Sequence, residues 1–597
     1  MNVAVLRFLI RSIVLCGTAT FATVPCYALN EPSQATRRLH KLFANEWQWH
    51  LRDDPLAATY LGDKRYNHLW RDMSLAAFER RQRHRRDVLQ KLKAIEFAAL
   101  SPADKINYRL FKQKCETASE EHPFRWYLLP LNQRDGIQEA NSVTDVLRFR
   151  TVKDYDDWLA RMRLLPAYMD QTLALLKEGI RTKRVHAKIV MKRLPGQIRK
   201  QIVDDPEKSP YFKPFRAIPD SIPPAEQARL IAAAKAAIAK QIVPSYRKML
   251  AFFEKDYIPA CFDRVGVWQF PQGRKFYEFR CRKYTTTDLT PKQIHEIGLK
   301  EVKRIRGEMQ KIIAQVKFKG TFKQFLEHLR TDPKFYYTKP EDLLQAYRAC
   351  AKRVDPQLVK LFKTLPRIPY GVTPIPMQTA PDTTTAYYMP PAADGSRAGF
   401  YYVNLYKLDS RPKYEIEALT LHESVPGHHL QIALAMELPN MPAFRRYSGY
   451  TAFVEGWGLY SESLGDELGM YKDPYSKFGQ LTYEMWRAVR LVVDTGMHDF
   501  QWSRQQAIEF FAANTAKTML DIENEIDRYI AWPGQALAYK IGELKIKQLR
   551  AKAEKELGPK FDVREFHEVV LGSGAVTLDV LEANVTAWIR RVRNRKR

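Results

Sequence analysis

The sequence has few of the features that mark disulfide scaffolds, repeat proteins and membrane proteins. It contains six cysteines and no Cys-x-x-Cys pair, which argues against a zinc site built from thiolates. Cys261 and Cys281 could pair or could remain free buried thiols. No segment repeats at a fixed period, and after residue 28 no stretch is long and apolar enough for a transmembrane helix. Beyond that residue we expect a globular chain.

The first 28 residues are similar to a secretory signal peptide. Arg7 and Arg11 precede an apolar stretch, and Cys26-Tyr27-Ala28 offers small residues at the cleavage positions. The alternative is an N-terminal membrane anchor, but the stretch 12–25 is shorter than the roughly 20 residues that a spanning helix needs. We therefore expect an exported protein that is periplasmic or secreted.

The charge of the chain is strongly positive. Lys and Arg number 96 against 67 Asp and Glu, giving a formal net charge of +29, which favours encounters with anionic partners. Basic runs at 80–86 and 590–597 could bind anionic cell-envelope polymers, but such runs are more often solvated surface. We expect no nucleic acid partner.

The hydrophobic pattern predicts a mainly α protein with two lobes. Residues 29–290 are interpreted as a helical scaffold, with short strands expected within 265–287, and residues 291–597 as a catalytic helical region. Alternating segments at 383–389 and 399–405, joined by Asp394-Gly395, predict a hairpin within a small sheet at 365–407. This sheet is expected beside the metal-binding helix.

Three imidazoles and a carboxylate lie within eight residues at His422, Glu423, His428 and His429. In an ideal helix His428 would stand about 9 Å along the axis from His422 and face away from it. Pro426 and the glycine after it should interrupt the helix and allow the two imidazoles to meet. We predict His422 and His428 as metal ligands, with His429 as the alternative second ligand.

A third ligand is needed, and the next carboxylate in a helical context is Glu455. Gly456 and Gly458 leave little bulk beside it, so its helix could approach the metal helix closely. Glu462 shares that helix face and is predicted to orient an imidazole. Two histidines and one glutamate leave an open coordination position, as in catalytic sites that hold one zinc ion per chain.

His-Glu followed by Pro-Gly-His-His and then by Phe-Val-Glu-Gly-Trp resembles the bacterial family catalogued as domain of unknown function 885. The segments 394–397, 493–498 and 533–539 are similar to that family as well. More distantly, the motifs resemble thimet oligopeptidase-like zinc peptidases, in which the glutamate after the first histidine is the base and the later glutamate is the third ligand. The resemblance implies a metallopeptidase-like fold, with Glu423 and Glu455 in those roles. Two residues inserted between Glu423 and Gly427 leave the second histidine ligand open.

The expected function is zinc-dependent hydrolysis, with a peptide as substrate and Glu423 as general base. Donors to the oxyanion are predicted among His498, Tyr539 and Arg528, with Asp494 orienting the imidazole of His498. An edge at the strand 401–405 could pair with an extended peptide, which makes Asn404 a predicted substrate contact.

Two other functions fit the same residues. A zinc amidase or esterase acting on cell-wall or other acyl substrates would need the same ligands and base. A non-catalytic binder of anionic polymer would use the basic runs and a structural metal. The open two-histidine, one-glutamate set argues against the latter, because structural zinc sites use four protein ligands.

Overall fold

The structure, a computed structural model, describes residues 33–377 and 379–595, and the predicted signal peptide lies outside them. The described part folds into 24 α-helices and three β-strands. The first helices are α1 Gln34–Asp53, α2 Pro55–Tyr60, α3 Leu75–Lys93, α4 Pro102–Glu121, α5 Val152–Arg181, α6 Lys188–Met191, α7 Leu194–Arg199, α8 Pro224–Ala237, α9 Val243–Phe252, α10 Ile258–Ala260, α11 Gly273–Thr285, α12 Pro291–Gln315, α13 Phe322–Thr331 and α14 Pro340–Val354. The later elements are β1 Tyr370–Pro374, β2 Ala386–Met389, β3 Gly399–Val403, α15 Ile416–Glu423, α16 His428–Glu437, α17 Ala443–Arg446, α18 Thr451–Ser463, α19 Pro474–His498, α20 Arg504–Ala512, α21 Met519–Ala531, α22 Ala538–Leu557, α23 Val563–Leu571 and α24 Leu578–Asn594. A mainly α fold with a small sheet is confirmed.

The three strands form one sheet in the order β1-β3-β2. β1 pairs parallel with β3, and β2 pairs antiparallel with β3, with Tyr387 opposite Tyr402. The predicted hairpin is therefore present, and Gly395 in its connection has φ +71°, a conformation that favours glycine. β3 is the central strand, so the prediction of an open edge at 401–405 is wrong, because both of its sides are paired.

Two pairs of helices pack closely through glycines. α12 packs along α19, where a Cβ added at Gly298 would lie 2.7 Å from the Cβ of Leu491. α18 packs on α22, where a Cβ at Gly456 would lie 2.6 Å from the Cα of Gly542. Because only a glycine pair permits this backbone approach, α18 is held tightly against the helix that carries Tyr539.

The expected strands within 265–287 are wrong, because this segment forms α11 after a short 3-10 turn, Val267–Gln269. Its buried positions include Phe276, Tyr277, Arg280 and Cys281, which follow the helical spacing of three and four residues. Arg280 is buried because its Nε–H donates to the carbonyl of Pro533 at 3.0 Å. Because Arg280 is charged but lies on the buried face, the sequence pattern of apolar residues did not show the helical period of α11.

Cys115, Cys261, Cys281 and Cys350 are free and buried, so Cys261 and Cys281 do not form a disulfide. Among the described residues no helix combines the length and the apolar character needed to cross a membrane. Buried apolar side chains from both sides of residue 290 share one large cluster, and the division of the chain at that residue stays a prediction.

Candidate metal centre

The helix that begins at Ile416 stops at Glu423, and a new helix begins at His428. Between them Ser424 and Gly427 have non-helical backbone angles, and a Cβ on Gly427 would collide with the carbonyl oxygen of His422. The indole N–H of Trp457 donates to the carbonyl of Pro426 at 2.8 Å. The predicted interruption is present, and it divides the segment into two helices that bring the imidazoles together.

His422, His428 and Glu455 converge, with one ligand atom from each within 4.8 Å of the others. Glu455 Oε2 lies 3.5 Å from His422 Nε2 and 3.4 Å from His428 Nε2. Ligand atoms placed tetrahedrally at bond lengths of about 2.0–2.1 Å would lie about 3.3–3.4 Å apart. The three side chains therefore fit one zinc ion, and the structure favours His428 over His429 as second ligand.

The bonding of these atoms also fits a cation. The Nδ1–H of His422 donates to Glu462 Oε1 at 2.8 Å, which leaves Nε2 as a lone-pair donor facing Glu455. Glu455 Oε2 is buried and accepts no hydrogen bond from any described residue. Burial opposes a charge on His422, but Glu455 and Glu462 outweigh it and raise the pKa of His422 to about 9. The two carboxylates thus favour positive charge at this point, which a metal ion would supply.

Gly458 and Glu462 position the first imidazole. A Cβ on Gly458 would lie 2.8 Å from His422 Cε1, so the glycine leaves room for the ring against α18. Glu462 also forms an ion pair with Arg487, with Oε1 and Nη2 3.2 Å apart. The prediction that Glu462 orients an imidazole agrees with this geometry.

Glu423 lines a cavity of about 290 Å³ together with the side chains of His422, His428 and Glu455. Burial raises the pKa of Glu423, and the neighbouring His428 and His422 oppose the shift. A buried carboxylate with a raised pKa can both accept and return a proton during a reaction. The placement matches the base expected from the sequence.

Tyr539 and Arg528, two of the three predicted oxyanion donors, line the same cavity. The ring of Tyr539 stacks on His422 with centroids 6.3 Å apart, and burial raises the pKa of its hydroxyl. The sequence reasoning missed Arg134, Arg487 and Arg490, which also line the cavity. Arg487 and Arg490, three residues apart in the buried helix α19, were a sequence signal for a polar site. Arg134 lies in a loop far from them in the sequence, and nothing in its surroundings indicated a role in the site.

His429 and His498 lie outside the metal group. His429 Nδ1 is bonded to the hydroxyl of Tyr388 at 2.9 Å, and burial lowers the pKa of His429 to about 4. His498 Nδ1 accepts from the Val267 N–H at 3.1 Å, and its Nε2 donates to the Tyr529 carbonyl at 2.9 Å. Both ring nitrogens of His498 are engaged, so its predicted role as oxyanion donor does not fit the structure.

Asp494 does not orient His498, contrary to the prediction. Its Oδ1 accepts from the Tyr277 hydroxyl at 2.6 Å and from the Gly534 N–H at 3.0 Å. Gly534 lies in the break between α21 and α22, at φ +81°. Asp494 therefore holds the turn that places Arg528 and Tyr539 on either side of it.

Asn404 is 1% exposed, and both ends of its side-chain amide are hydrogen-bonded to backbone groups. The amide N–H groups donate to backbone carbonyls in the loop before β2, and the amide oxygen accepts from the Tyr406 N–H at 2.9 Å; the carbonyls belong to Ala380, Thr383 and Thr384. The predicted substrate contact is therefore replaced by a structural role. The cavity is lined instead by residues 384–388, which include the start of β2.

Comparison with known proteins gives a family and a fold. Residues 55–585 match the model of a family described as a bacterial protein of unknown function, DUF885. A lipoprotein candidate from Colwellia psychrerythraea has a crystal structure with 30% sequence identity and a TM-score of 0.88, over 93% of this chain and 99% of that one. A lipoprotein candidate of unknown function from Shewanella oneidensis shares 18% identity with a TM-score of 0.69, over 92% and 99%. None of the curated proteins matches.

Proposed function

This chain belongs to the bacterial DUF885 family, and from that premise we propose that it is a zinc-dependent hydrolase that cleaves peptide bonds. The observation that carries the proposal is the convergence of His422, His428 and Glu455 beside the buried carboxylate of Glu423 in one cavity. Two imidazole nitrogens and one carboxylate oxygen form a ligand set that suits zinc and leaves a position open. When bound, zinc would act as a Lewis acid towards a carbonyl and would lower the pKa of a coordinated water.

The protein's own groups supply the proton transfers. Glu423 takes the proton from the attacking water and passes it to the leaving amine, and its raised pKa favours the first of these transfers. Tyr539 keeps its proton, because burial raises the pKa of its hydroxyl, and can donate to the oxygen that gains negative charge. The ring of Tyr539 contacts the guanidinium of Arg490, 4.1 Å from its centroid, and stacks on His422.

We also propose that the protein is exported to the periplasm or secreted. The first 28 residues resemble a signal peptide, and the two structural relatives are described as lipoprotein candidates. Four buried free cysteines are compatible with either an oxidising or a reducing compartment, so they do not bear on this assignment.

The experiment that tests the function has a metal arm and a reaction arm. Mature protein purified without chelators is analysed for zinc by mass spectrometry and incubated with a mixture of short peptides, whose products are identified by mass. We expect about one zinc per chain, cleavage that stops on chelation and returns with zinc, and a loss of about 10²-fold or more in Glu423→Gln with zinc retained.

Protein without stoichiometric metal would contradict the proposal. Zinc-loaded protein in which Glu423→Gln leaves function intact, and whose polymer binding collapses with salt, would instead support the non-catalytic binder of anionic polymer. Turnover of acyl esters or cell-wall amides but not of peptides would favour the amidase or esterase.

A further inference from the structure

Positive charge accumulates in the cavity that the candidate metal ligands line. Arg487, Arg490 and Arg528 line it and are only 3%, 2% and 6% exposed, and Arg134 reaches it from a loop. Removing guanidinium groups from water is costly unless anions pair with them. Such a cluster therefore requires an explanation in terms of its partners.

Among the ion pairs of the described residues, one carboxylate serves three of these guanidinium groups. Glu525 is shared by Arg490 at 3.0 Å, Arg528 at 2.7 Å and Arg134 at 3.8 Å. Three guanidinium groups and one carboxylate leave a net charge of 3 − 1 = +2. Burial opposes ionisation of Glu525, but Arg528, Arg490 and Arg134 hold its pKa below the ordinary value, so this carboxylate is already fully charged.

Charges at the metal centre do not remove the excess. Arg487 is matched by Glu462, and a divalent cation there would be balanced by Glu455 and Glu423. Asp527, which precedes Arg528 in α21, pairs with Arg193 and Arg504 instead. The excess of +2 therefore stays with Arg134, Arg490 and Arg528.

Hydrogen-bond donors also remain unused. Arg490 Nη1 and Arg487 Nε are buried, and neither has a hydrogen-bond partner among the described residues. The guanidinium of Arg490 lies over the ring of Tyr539, which stacks on His422. Unused donors thus lie one aromatic ring away from the metal ligands.

We propose that a carboxylate of the substrate binds between Arg134, Arg490 and Arg528, next to the metal centre. Its identification as a substrate group rests on the proposed function. Guanidinium groups bind carboxylates in a bidentate manner, and one carboxylate would halve the excess charge. The carboxylate comes either from the C-terminus of a short peptide or from an acidic side chain.

The shape of the cavity agrees with a short substrate. Its volume of about 290 Å³ lies just below the usual range for ligand pockets, about 300–1,000 Å³. It shares Arg134, Tyr387 and Trp532 with a second cavity of about 730 Å³, which offers room for the rest of the substrate. The wall of this second cavity carries four cations and two acids, namely Lys200, Lys208, Lys213, Arg216, Glu139 and Asp145, of which Lys213 pairs with Asp145.

Calorimetric titration with three peptides tests the proposal. The probes are N-acetyl-trialanine as the free acid, the same peptide as the C-terminal amide, and N-acetyl-Ala-Glu-Ala amide. Each is titrated into metal-free wild type and into zinc-loaded Glu423→Gln, so that the result does not depend on turnover. We expect at least one carboxylate probe to bind about tenfold or more tightly than the neutral amide, a difference of about 1.4 kcal/mol.

The probe that binds identifies the source of the carboxylate. Preference for the free acid assigns a C-terminal carboxylate, and preference for the glutamate peptide assigns an acidic side chain. Equal or undetectable binding of all three overturns the proposal. A carboxylate preference in a protein that lacks zinc or hydrolysis would leave this anion site standing while the proposed function falls.

Substitutions locate the site. Arg134→Gln and Arg490→Gln should each bring the carboxylate preference to within about threefold, whereas Arg504→Gln, which lies outside the cavity and pairs with Asp527, should retain it. If Arg490→Gln does not fold, Arg134→Gln decides, because that side chain is partly exposed and contacts Glu525 only at 3.8 Å. Full preference in folded Arg134→Gln overturns the assignment.

Discussion

Two pairs of a histidine and a carboxylate in the C-terminal half contain similar residues but differ in their hydrogen bonds. His422 with Glu462 and His498 with Asp494 are all buried. His422 uses Nδ1 for Glu462 and leaves Nε2 facing Glu455. His498 uses both ring nitrogens on backbone groups, and Asp494 bonds to other partners.

The pKa values follow this difference. Two carboxylates outweigh burial and raise the pKa of His422 to about 9, whereas burial lowers the pKa of His498 to about 4. One imidazole is thus prepared for a cation, and the other is a neutral bridge between α19 and its neighbours. What separates a candidate metal ligand from a structural histidine here is hydrogen-bonding capacity left unused beside a cavity.

The largest expected effect distinguishes the two adjacent histidines of the metal segment. His428→Ala should lose zinc binding, and with it the stabilisation of about 4 kcal/mol that zinc at 1,000 times its dissociation constant gives to a protein that binds it only when folded. His429→Ala should keep this zinc-dependent stabilisation, although loss of the bond to Tyr388 lowers its overall stability. Denaturant unfolding with and without zinc measures both. The reverse pattern would make His429 the ligand.

The next effect concerns Asp494 and the pH. Burial raises the pKa of Asp494 to about 7, despite the donors Tyr277 and Gly534. Because the folded value exceeds the unfolded value of about 3.9, its contribution to stability is fully present below about pH 4 and is lost as the pH rises through 7. Asp494→Asn lacks this titration and keeps an acceptor for both donors.

The free energy of unfolding of wild type, relative to Asp494→Asn, should therefore fall by about 3 kcal/mol between pH 4 and pH 7. Denaturant titrations of both proteins across this range provide the measurement, and the difference between them cancels the other titrating groups. Parallel stability curves would show that Asp494 is ionised in the folded protein, as a metal-centre carboxylate would be.

A smaller effect is expected from Glu462→Gln. The amide still accepts the Nδ1–H of His422 but no longer increases the basicity of the ring, so zinc affinity should fall about 10- to 100-fold. Asp494→Asn, the matched change in the other pair, should leave zinc affinity within about twofold. Competition with a zinc chelator measures both constants. Equal losses in the two variants would contradict the distinction between the pairs.

Much of the candidate metal centre could be predicted because its signals are local. His422, Glu423 and His428 lie in one short segment, and Pro426 predicts the helix interruption that lets the two imidazoles approach each other. Glu455 and Glu462 share one face of a single helix, a relation that spacing alone reveals. The mainly helical fold and the hairpin followed from periodicity and turn residues in the same way.

The errors arose where the partner of a polar group lies far away in the sequence. His498 is bonded to Val267 and Tyr529, and Asn404 to a loop some twenty residues earlier. Arg134 meets α21 only in the folded protein. Whether a polar side chain is already satisfied is a property of tertiary structure, which residue spacing does not encode.

The smallest expected effect comes from two helical glycines, Gly458 beside His422 and Gly496 between Asp494 and His498. A Cβ at Gly458 would lie 2.8 Å from His422 Cε1, and one at Gly496 would lie 2.7 Å from Trp502 Cδ2. Both substitutions by alanine should destabilise by about 1–3 kcal/mol, because each forces an extra methyl group against a ring. Only Gly458→Ala displaces an imidazole of the metal centre, so we expect it to weaken zinc binding about three- to tenfold while Gly496→Ala does not. If zinc affinity falls equally in both variants, the loss reflects a general loosening of the fold, and the distinction between the two histidine–carboxylate pairs is contradicted. If only Gly458→Ala loses affinity, the close fit of α18 against His422 contributes to zinc binding.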